Sequence, residues 1–388
     1  MTQQNIILHI CAVFILLLFS SPAMSHVTAY DLNDGPAFGD RVTKLDAKDR
    51  LLQLNSIVDI KVTDEVQERI QQYTYYYRSS AEKILGKVGV YFPIFEKEIR
   101  RRGMPDDLKY IAVVESLLNP KATSKAGAAG LWQFMRSTGK MVGLEVNSEV
   151  DQRRSINLST QAALDYLQSL HDRFGDWSLA IAAYNCGPGN MWKAIKKSGS
   201  KDYWKLRHHL PKETQKYLPR IIAAMYLTNY YQHHGLQPVS VEREYYQSVI
   251  VKVKGEIDLN KISTELNVDK EILQNLNPEY LKSKIPNSKG QYSLRIPSKV
   301  QEKYLELYEP GVYSLLIEER EEAKRVAKLE EEKKRAEEEL AYMKSMKKDT
   351  INALEEIVTL LFKSIHSQGQ KNYSIPRIMR SKSQYVKV

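Results

Sequence analysis

Cysteine is nearly absent from this sequence, with only 2 among 388 residues. Cys11 lies in an apolar run near the N-terminus, and Cys186 stands alone in the rest of the chain. Once the N-terminal run is removed, no intrachain disulfide can form, so the fold cannot depend on one. The cellular compartment must therefore be inferred from other features.

Spacings typical of metal and nucleotide sites are also absent. His208 and His209 are adjacent, as are His233 and His234, and adjacent histidines on a helix cannot easily direct both rings at one ion. No cysteine and histidine spacing typical of zinc occurs, and no phosphate-binding loop or nucleotide fingerprint is present. We therefore predict no metal site and no cofactor.

Acidic residues are missing from the end of the chain, where none follows Glu356. The formal net charge is +10, which attracts a protein to polyanions such as nucleic acids, membrane surfaces or a bacterial wall. Much of this excess lies in the C-terminal tail, so it does not indicate a basic groove. Because no nucleic-acid-binding motif accompanies it, we predict no nucleic-acid partner.

Long apolar runs are missing apart from one near the N-terminus. Residues 6–19 are almost wholly apolar, and the small residues Ala23 and Ser25 follow. About 14 apolar residues are too few to span a bilayer comfortably but are typical of a signal-peptide core. We predict a signal peptide over residues 1–25 and an exported protein of the periplasm or cell envelope. An uncleaved anchor is the alternative, and membrane contact is otherwise peripheral.

Periodicity and composition divide the rest of the chain into segments. Residues 26–63 show little periodicity and predict an irregular lead. Residues 64–240 repeat apolar residues at three- and four-residue steps and predict an all-α domain. Residues 245–300 predict a small β-α-α-β unit. Residues 315–362 predict a long charged helix, and residues 363–388 predict a basic, disordered tail.

The charged segment has two interpretations. Lysines interrupt its apolar seam, so a solvated single helix and a coiled coil both remain open. In either case this helix is the candidate surface for a protein partner or for self-association. The seam runs through Val326, Leu329, Ala336, Leu340 and Met343.

One carboxylate, Glu115, lies toward the end of a mostly apolar stretch at residues 110–118 (Tyr-Ile-Ala-Val-Val-Glu-Ser-Leu-Leu). Pro105, followed by Asp106, predicts the start of this helix. Burial of a lone carboxylate favours its protonated form, which a general acid needs near neutral pH. The alternative is that Glu115 points to solvent, as most glutamates do.

Further segments carry polar and aromatic residues that suit ligand binding. Residues 127–135 (Gly-Ala-Ala-Gly-Leu-Trp-Gln-Phe-Met) combine small residues with two aromatic rings and an amide. Residues 180–189 (Ala-Ile-Ala-Ala-Tyr-Asn-Cys-Gly-Pro-Gly) predict a helix that ends in a polar turn. Residues 213–220 read Glu-Thr-Gln-Lys-Tyr-Leu-Pro-Arg. Each segment has a structural alternative, in which Trp132 and Tyr184 belong to the core and Gly-Pro-Gly is only a turn.

In this order and spacing, these segments resemble the family-1 soluble lytic transglycosylases. The resemblance runs from about Gly103 to Gln237. It implies a mainly α protein with a lysozyme-like (goose-type or SLT) all-helical catalytic domain. It also implies an enzyme that cleaves the β-1,4 bond between N-acetylmuramic acid and N-acetylglucosamine in peptidoglycan glycan strands.

The resemblance also implies residue roles. Glu115 would be the single acid and base, and Tyr217 would hydrogen-bond it and help set its protonation. The implied substrate-binding residues are Ser116, Gln133, Tyr184, Asn185 and Tyr217. The implied supporting residues are Gly130, Trp132 and Phe134.

In the mechanism that the resemblance implies, the C6 hydroxyl of the substrate attacks C1 and leaves a 1,6-anhydro-N-acetylmuramic acid end. One alternative is a hydrolytic muramidase, which would need a second carboxylate. Another is a non-catalytic peptidoglycan-binding scaffold. We expect Glu213 to be structural and Asp151 to form an ion-pair turn with the arginines that follow it. The other acids available to a hydrolase are Glu145, Glu149, Asp165, Asp172 and Asp176.

Residues 248–297 resemble a degenerate LysM peptidoglycan-binding module. Asn277 before a proline and the segment 294–297 (Leu-Arg-Ile-Pro) carry this resemblance. The usual Gly-Asp-Thr opening is replaced by Gly-Glu-Ile at residues 255–257. Peptidoglycan glycan strands are the predicted partner of the protein, and because of this replacement glycan binding by the LysM-like unit is left open.

Overall fold

The computed structural model describes residues 43–287, 292–346 and 356–364. The predicted signal peptide at residues 1–25 lies outside the described residues. So does the predicted basic tail from residue 365 onward.

The first folded unit is helical, as predicted, and residues 64–240 contain no strand of a sheet. A π-helical turn at Gln72–Tyr76 and 3-10 turns at Asp106–Lys109, Arg207–His209 and Tyr231–His234 connect its helices. The helices are α1 (Lys44–Leu51), α2 (Asp64–Gln71), α3 (Arg78–Arg102), α4 (Tyr110–Ser116), α5 (Arg136–Met141), α6 (Ile156–Phe174), α7 (Trp177–Cys186), α8 (Pro188–Ser198), α9 (Tyr203–Leu206), α10 (Lys212–Gln215), α11 (Tyr217–Tyr230) and α12 (Arg243–Tyr246).

Helix α11 is the centre of this unit, because it is apolar around most of its circumference. It packs against α1, α2, α4 and α7. Its residues from Tyr217 to Leu227 are buried, apart from the half-buried Arg220. Helix α4 is likewise almost wholly buried, and both helices therefore hold their polar side chains in fixed positions relative to one core.

Helix α1 corrects the expectation of an irregular lead over residues 26–63. Thr43 and Asp46 form a reciprocal capping box that starts this helix. Ala47 and Leu51 are fully buried in the core of the helical unit. Only these two positions carry the apolar pattern, so the helix is too short for periodicity to reveal it.

The second unit has the predicted order of strand, two helices and strand, and it contains an additional pair of short strands. Strand β1 pairs antiparallel with β4, and β2 pairs antiparallel with β3. The helices and strands are β1 (Ser248–Lys252), β2 (Ile257–Asp258), α13 (Leu259–Leu266), α14 (Lys270–Leu276), β3 (Lys284–Ile285) and β4 (Ser293–Pro297). The predicted fold class, mainly α with this small mixed unit, is confirmed.

The charged segment forms helix α16 (Pro310–Met346), which follows α15 (Gln301–Tyr308). Pairs of opposite charge one turn apart, such as Arg335 with Glu331, line its surface. Residues 356–364 form another helical stretch. Across the described ranges, no helix is both long and apolar enough to cross a membrane. Self-association through α16 stays a prediction.

Candidate active site

Glu115 lies in the last turn of α4, a helix held rigidly by its apolar residues. Ile111, Ala112 and Val113 are fully buried. The chain then turns sharply, since Leu117 and Leu118 both adopt left-handed backbone conformations, with φ of 52° and 54°. The helix therefore ends four residues before Pro120, earlier than the proline would require, and Glu115 stays at the wall of a cavity.

This cavity has a volume of about 500 Å³. Its walls come from helices α4, α6 and α7, from the start of α11, and from the loop that precedes α5. It brings together most of the predicted site residues, and Glu115, Gln133, Phe134, Tyr184, Asn185 and Tyr217 all line it. The remaining lining residues are Val114, Ser124, Ala126, Ala128, Met135, Thr138, Tyr166, Cys186, Gly187, Glu213 and Arg220.

The protonation of Glu115 is set by its surroundings. The pKa of its carboxyl is raised to about 7, chiefly by burial, and the negative charge of Glu213 acts in the same direction. The hydroxyl of Tyr217 donates a short hydrogen bond to Glu115 Oε1, and this bond and the charge of Arg220 lower the pKa. Glu115 is therefore a carboxyl that carries its proton up to about neutral pH.

The two tyrosines beside Glu115 remain neutral donors. Burial raises the pKa of the Tyr184 and Tyr217 hydroxyls well above their usual value, and the charge of Glu115 adds to this effect. The Tyr184 hydroxyl donates to the carbonyl oxygen of Trp132 at 2.7 Å. Its ring lies beside that of Phe134, with centroids 5.9 Å apart. Tyr184 therefore joins α7 to the loop that carries Gln133.

Gln133 occupies a tight loop whose backbone requires special conformations. Gln133 itself has φ of 49°, and its Nε2 donates to the carbonyl oxygen of Gly130 at 2.8 Å. Gly130 has φ of 85°, and a Cβ at this position would lie 1.7 Å from the carbonyl oxygen of Arg153. Only glycine allows this close approach of two backbone segments.

Asn185 is held at the end of α7 by a neighbouring side chain. The Thr214 hydroxyl donates to Asn185 Oδ1 at 2.7 Å. Thr214 is buried on α10, next to the helix that carries Tyr217. The amide of Asn185 is thus fixed at the cavity wall by a residue of the 213–220 segment.

Like Gly130, two further predicted site residues do not line the cavity. Ser116 is 8% exposed and is not among the lining residues, and its hydroxyl lies between the carbonyl oxygens of Ala112 (3.0 Å) and Leu131 (2.9 Å). Trp132 is fully buried, and its indole donates to Thr160 Oγ1. Neither side chain is among those that line the cavity, and substrate contact by Ser116 stays a prediction. Both hold the Gln133 loop against the core.

The six acids considered for a hydrolase do not line the cavity. Asp151 forms the expected ion pair with Arg153. Asp165 pairs with Arg102. Asp176 caps the start of α7. In the described ranges, no group of three or more histidine, cysteine or acidic side chains is arranged to hold a metal ion.

Sequence reasoning assigned Glu213 a structural role and overlooked Tyr166, Met135 and Arg220 as lining residues. Glu213 is exposed at the cavity. Its position four residues before Tyr217 was a usable signal, because so short a stretch of chain keeps two side chains near the same site. Tyr166 carried no comparable signal, since α6 was recognisable only as a core helix.

Known protein families match both folded units. Residues 92–207 match the family described as Transglycosylase SLT domain. Residues 248–310 match the family described as Lytic transglycosylase MltD, LysM-like domain.

Several curated proteins are similar to this chain. Membrane-bound lytic murein transglycosylase D of Escherichia coli is 31% identical over 245 residues, which are 62% of this chain and 53% of that protein. Membrane-bound lytic murein transglycosylase F of Ectopseudomonas mendocina is 27% identical over 235 residues, which are 55% of this chain and 46% of that protein. The chain thus spans about half the length of these relatives.

Among solved structures, the 70 kDa soluble lytic transglycosylase of Escherichia coli aligns with 52% of this chain and 35% of that chain, at 20% identity and a TM-score of 0.34. The resemblance predicted from the sequence is confirmed by the two family matches. The chain therefore carries a transglycosylase SLT domain followed by the LysM-like domain of the MltD type.

Proposed function

We propose that this protein is a peptidoglycan lytic transglycosylase that uses Glu115 as its single acid and base. The observation that carries the proposal is a partly buried carboxyl with a pKa of about 7, hydrogen-bonded by Tyr217 in the wall of a large cavity. The names of the relatives and the SLT domain match support the same activity.

In the first step, Glu115 donates its proton to the glycosidic oxygen between N-acetylmuramic acid and N-acetylglucosamine. The C1–O bond breaks, the N-acetylglucosamine side leaves with a new hydroxyl, and positive charge develops at C1. Glu115 becomes a carboxylate, which the Tyr217 hydroxyl stabilises through its hydrogen bond.

In the second step, the C6 hydroxyl of the same muramic residue attacks C1 and gives its proton to the Glu115 carboxylate. A 1,6-anhydro ring forms, no water is consumed, and Glu115 is protonated again. An intramolecular nucleophile needs orientation more than activation, which is why one carboxylate is sufficient.

The other cavity residues would hold the glycan. Gln133 and Asn185 present amides that suit the N-acetyl groups of the substrate. Phe134 and Tyr184 bring aromatic rings to the wall. We assign Ser116 a positioning role, because its hydroxyl contacts the Leu131 carbonyl rather than the cavity.

Export to the cell envelope is part of the proposal, because peptidoglycan lies there. The apolar run at residues 6–19 and the membrane-bound relatives support it. Glycan binding by the LysM-like unit would place the cavity close to its substrate.

Hydrolysis is the competing reaction, since Glu213 gives the cavity a second carboxylate. In that reaction, Glu213 would activate a water molecule and the product would carry a reducing end. The resemblance to lytic enzymes and the effect of Glu213 on the pKa of Glu115 favour an electrostatic role instead.

Mass spectrometry of the products from purified peptidoglycan tests the proposal. We expect anhydro-muramic ends with the native protein and a loss of about 100-fold to 10,000-fold in rate with Glu115→Gln. Glu213→Gln is the matched control and should still give anhydro ends. Reducing ends that disappear in Glu213→Gln would replace the proposal with a hydrolase, and glycan binding without products from the native protein would favour a scaffold.

A further inference from the structure

The segment of residues 149–153 belongs to the SLT domain in sequence but is shared between two cores. Val150 is fully buried in the apolar core of the LysM-like unit, not in that of the helical unit. Two backbone hydrogen bonds fix it there, from Asp151 N to Glu279 O and from Leu281 N to Glu149 O, both at 2.9 Å. A short antiparallel pairing therefore joins the two units through a buried side chain.

Asp151 and Arg153 connect this pairing to the cavity. The Asp151 carboxylate accepts two hydrogen bonds from the Arg153 guanidinium, from Nε and NH2, each at 2.8 Å. Asp151 is 4% exposed and Arg153 is 6% exposed. A bidentate pair shielded from water in this way fixes the direction of the guanidinium.

The other terminal nitrogen of Arg153 donates hydrogen bonds to the loop that lines the cavity. Its NH1 donates to the carbonyl oxygens of Gly127 at 2.8 Å and Phe134 at 3.0 Å, the two ends of the Gln133 loop. Arg154 adds contacts to Lys121 O and Thr123 Oγ1, both at 2.7 Å. The loop at residues 121–134 is therefore hydrogen-bonded to the segment of residues 149–154, and the LysM-like unit fixes that segment in turn.

We propose that the LysM-like unit braces the wall of the active-site cavity, through Val150, Asp151 and Arg153 as positioning residues. The unit is thus part of the machinery that shapes the cavity, in addition to any binding of glycan by its own surface. The consequence for catalysis rests on the proposed function, whereas the mechanical link does not.

Further contacts between the two units argue against a module that moves freely on a tether. The Tyr292 hydroxyl reaches both carboxylate oxygens of Glu145, at 3.0 and 2.8 Å. The Arg295 guanidinium donates to Asn157 Oδ1 at the start of α6. Arg295 is 8% exposed, so this contact lies within the interface rather than at its rim.

Hydrogen–deuterium exchange on the full chain tests the link, with Val150→Ala compared with Val253→Ala. Val253 is the matched control, because it is a valine of the same LysM-like core with 1% exposure but no chain connection to Arg153. We expect about tenfold faster exchange of peptides spanning residues 121–134 in Val150→Ala only. Peptides from α11 should exchange as in the native protein in both variants.

Two results would overturn the proposal. One is that, in Val150→Ala, the peptides of the LysM-like unit exchange faster while those of the 121–134 loop exchange at the native rate. The other is equal acceleration in both variants, which would mean that the loop opens only when the whole LysM-like unit unfolds.

A second pair of variants keeps the test decisive if Val150→Ala does not fold. Arg153→Lys keeps the charge beside Asp151 but loses the fork that reaches the loop, and it should accelerate the same peptides. Arg102→Lys, which loses a similar fork between Glu98 and Asp165, should not. An unchanged loop in Arg153→Lys contradicts the brace.

Activity separates this proposal from the proposed function. If the chain cleaves glycan, Val150→Ala should lower kcat/KM while Val253→Ala leaves it near the native value. A loop that loosens in a protein without any cleavage activity would support the brace and overturn the enzyme. If the chain cleaves glycan but the loop of Val150→Ala exchanges at the native rate, the proposed function would be supported and the brace overturned.

Discussion

Glu115 and Tyr217 lie 102 positions apart in the chain, and a single hydrogen bond joins their side chains. The bond opposes the effect of burial, which keeps the pKa of the carboxyl near 7 instead of higher. A general acid is most useful when its pKa is close to the working pH, because it then both holds and releases a proton. In the proposed mechanism, the tyrosine would therefore adjust the pKa of the acid as well as hold its side chain in place.

Tyr217→Phe tests this role. Loss of the donor removes a contact that favours the carboxylate, so the pKa of Glu115 should rise above about 7. The acid form would then persist to higher pH, and the alkaline limb of the pH–rate profile should move upward while the maximal rate falls. Tyr226→Phe is the control, a fully buried tyrosine of the same helix that does not line the cavity. An alkaline limb that stays in place would contradict the assignment.

Glu279 presents a second titrating carboxyl, at the interface between the two units. It is 8% exposed, and one of its oxygens, Oε2, is buried without a hydrogen-bond partner in the described part of the chain. Burial raises the pKa of this carboxyl from 4.5 to about 7, against the lowering effects of the Ser155 hydroxyl and the Arg295 charge.

Stability should therefore fall as pH rises through this range. Below pH 4.5 the carboxyl is neutral in both states, and between 4.5 and about 7 only the folded state holds the proton. Across this window the contribution of Glu279 to the free energy of unfolding should fall by on the order of 3 kcal/mol. Glu115, whose pKa is raised in the same way, adds a loss of its own. In urea titrations at several pH values, Glu279→Gln should therefore lose less stability than the native protein by this amount, whereas the exposed Glu256→Gln should match the native protein. An equal drop in the Glu279→Gln variant would exclude Glu279 as its source.

At the scale of elements, the helices were easier to predict than the loop between them. The sequence predicts a helix over residues 157–174, and this prediction matches α6, whose apolar face is long and regular. The sequence also predicts a helix over residues 131–139, but the structure has α5 (Arg136–Met141) there. The residues before Arg136 belong to the Gln133 loop because of contacts with Gly130 and Arg153, which are tertiary and leave no periodic signal.

The same contrast applies to the site. Motif resemblance was enough to name Glu115, Gln133, Tyr184, Asn185 and Tyr217 as neighbours, and all of them line one cavity. It could not show that Ser116 turns away, because that depends on which carbonyl oxygen its hydroxyl meets. Nor could it show that Val150 packs in the core of the other unit, since the sequence of an apolar residue does not indicate which of two cores it joins.

Gly130→Ala tests how strictly the loop depends on close backbone approach. Both the φ of 85° and the carbonyl oxygen of Arg153 at 1.7 Å from a new Cβ oppose the change. We expect a loss of about 3 kcal/mol in the free energy of unfolding, measured by denaturant titration. Gly127→Ala separates the two causes, because it has the same φ with open space around the Cβ and should cost about 1 kcal/mol. Equal losses in the two variants would show that the contact with Arg153 is dispensable.

At the scale of the whole molecule, the two folded units meet through buried contacts rather than a flexible linker. The SLT domain provides the cavity, and the LysM-like unit provides the surface against which one wall of the cavity is fixed. Helix α16 extends from the second unit with charged residues along its length. The arrangement places the Glu115 carboxyl in the cavity of the SLT domain and leaves the charged helix mostly exposed, where contacts with other molecules stay a prediction.

The fate of water in the reaction tests the central claim most directly. We would digest peptidoglycan with the native protein in water enriched in oxygen-18 and measure the masses of the new ends. Attack by the C6 hydroxyl predicts anhydro ends without the heavy isotope, and their absence in Glu115→Gln. Ends that carry oxygen-18 at C1 would show that water is the nucleophile and would contradict the account.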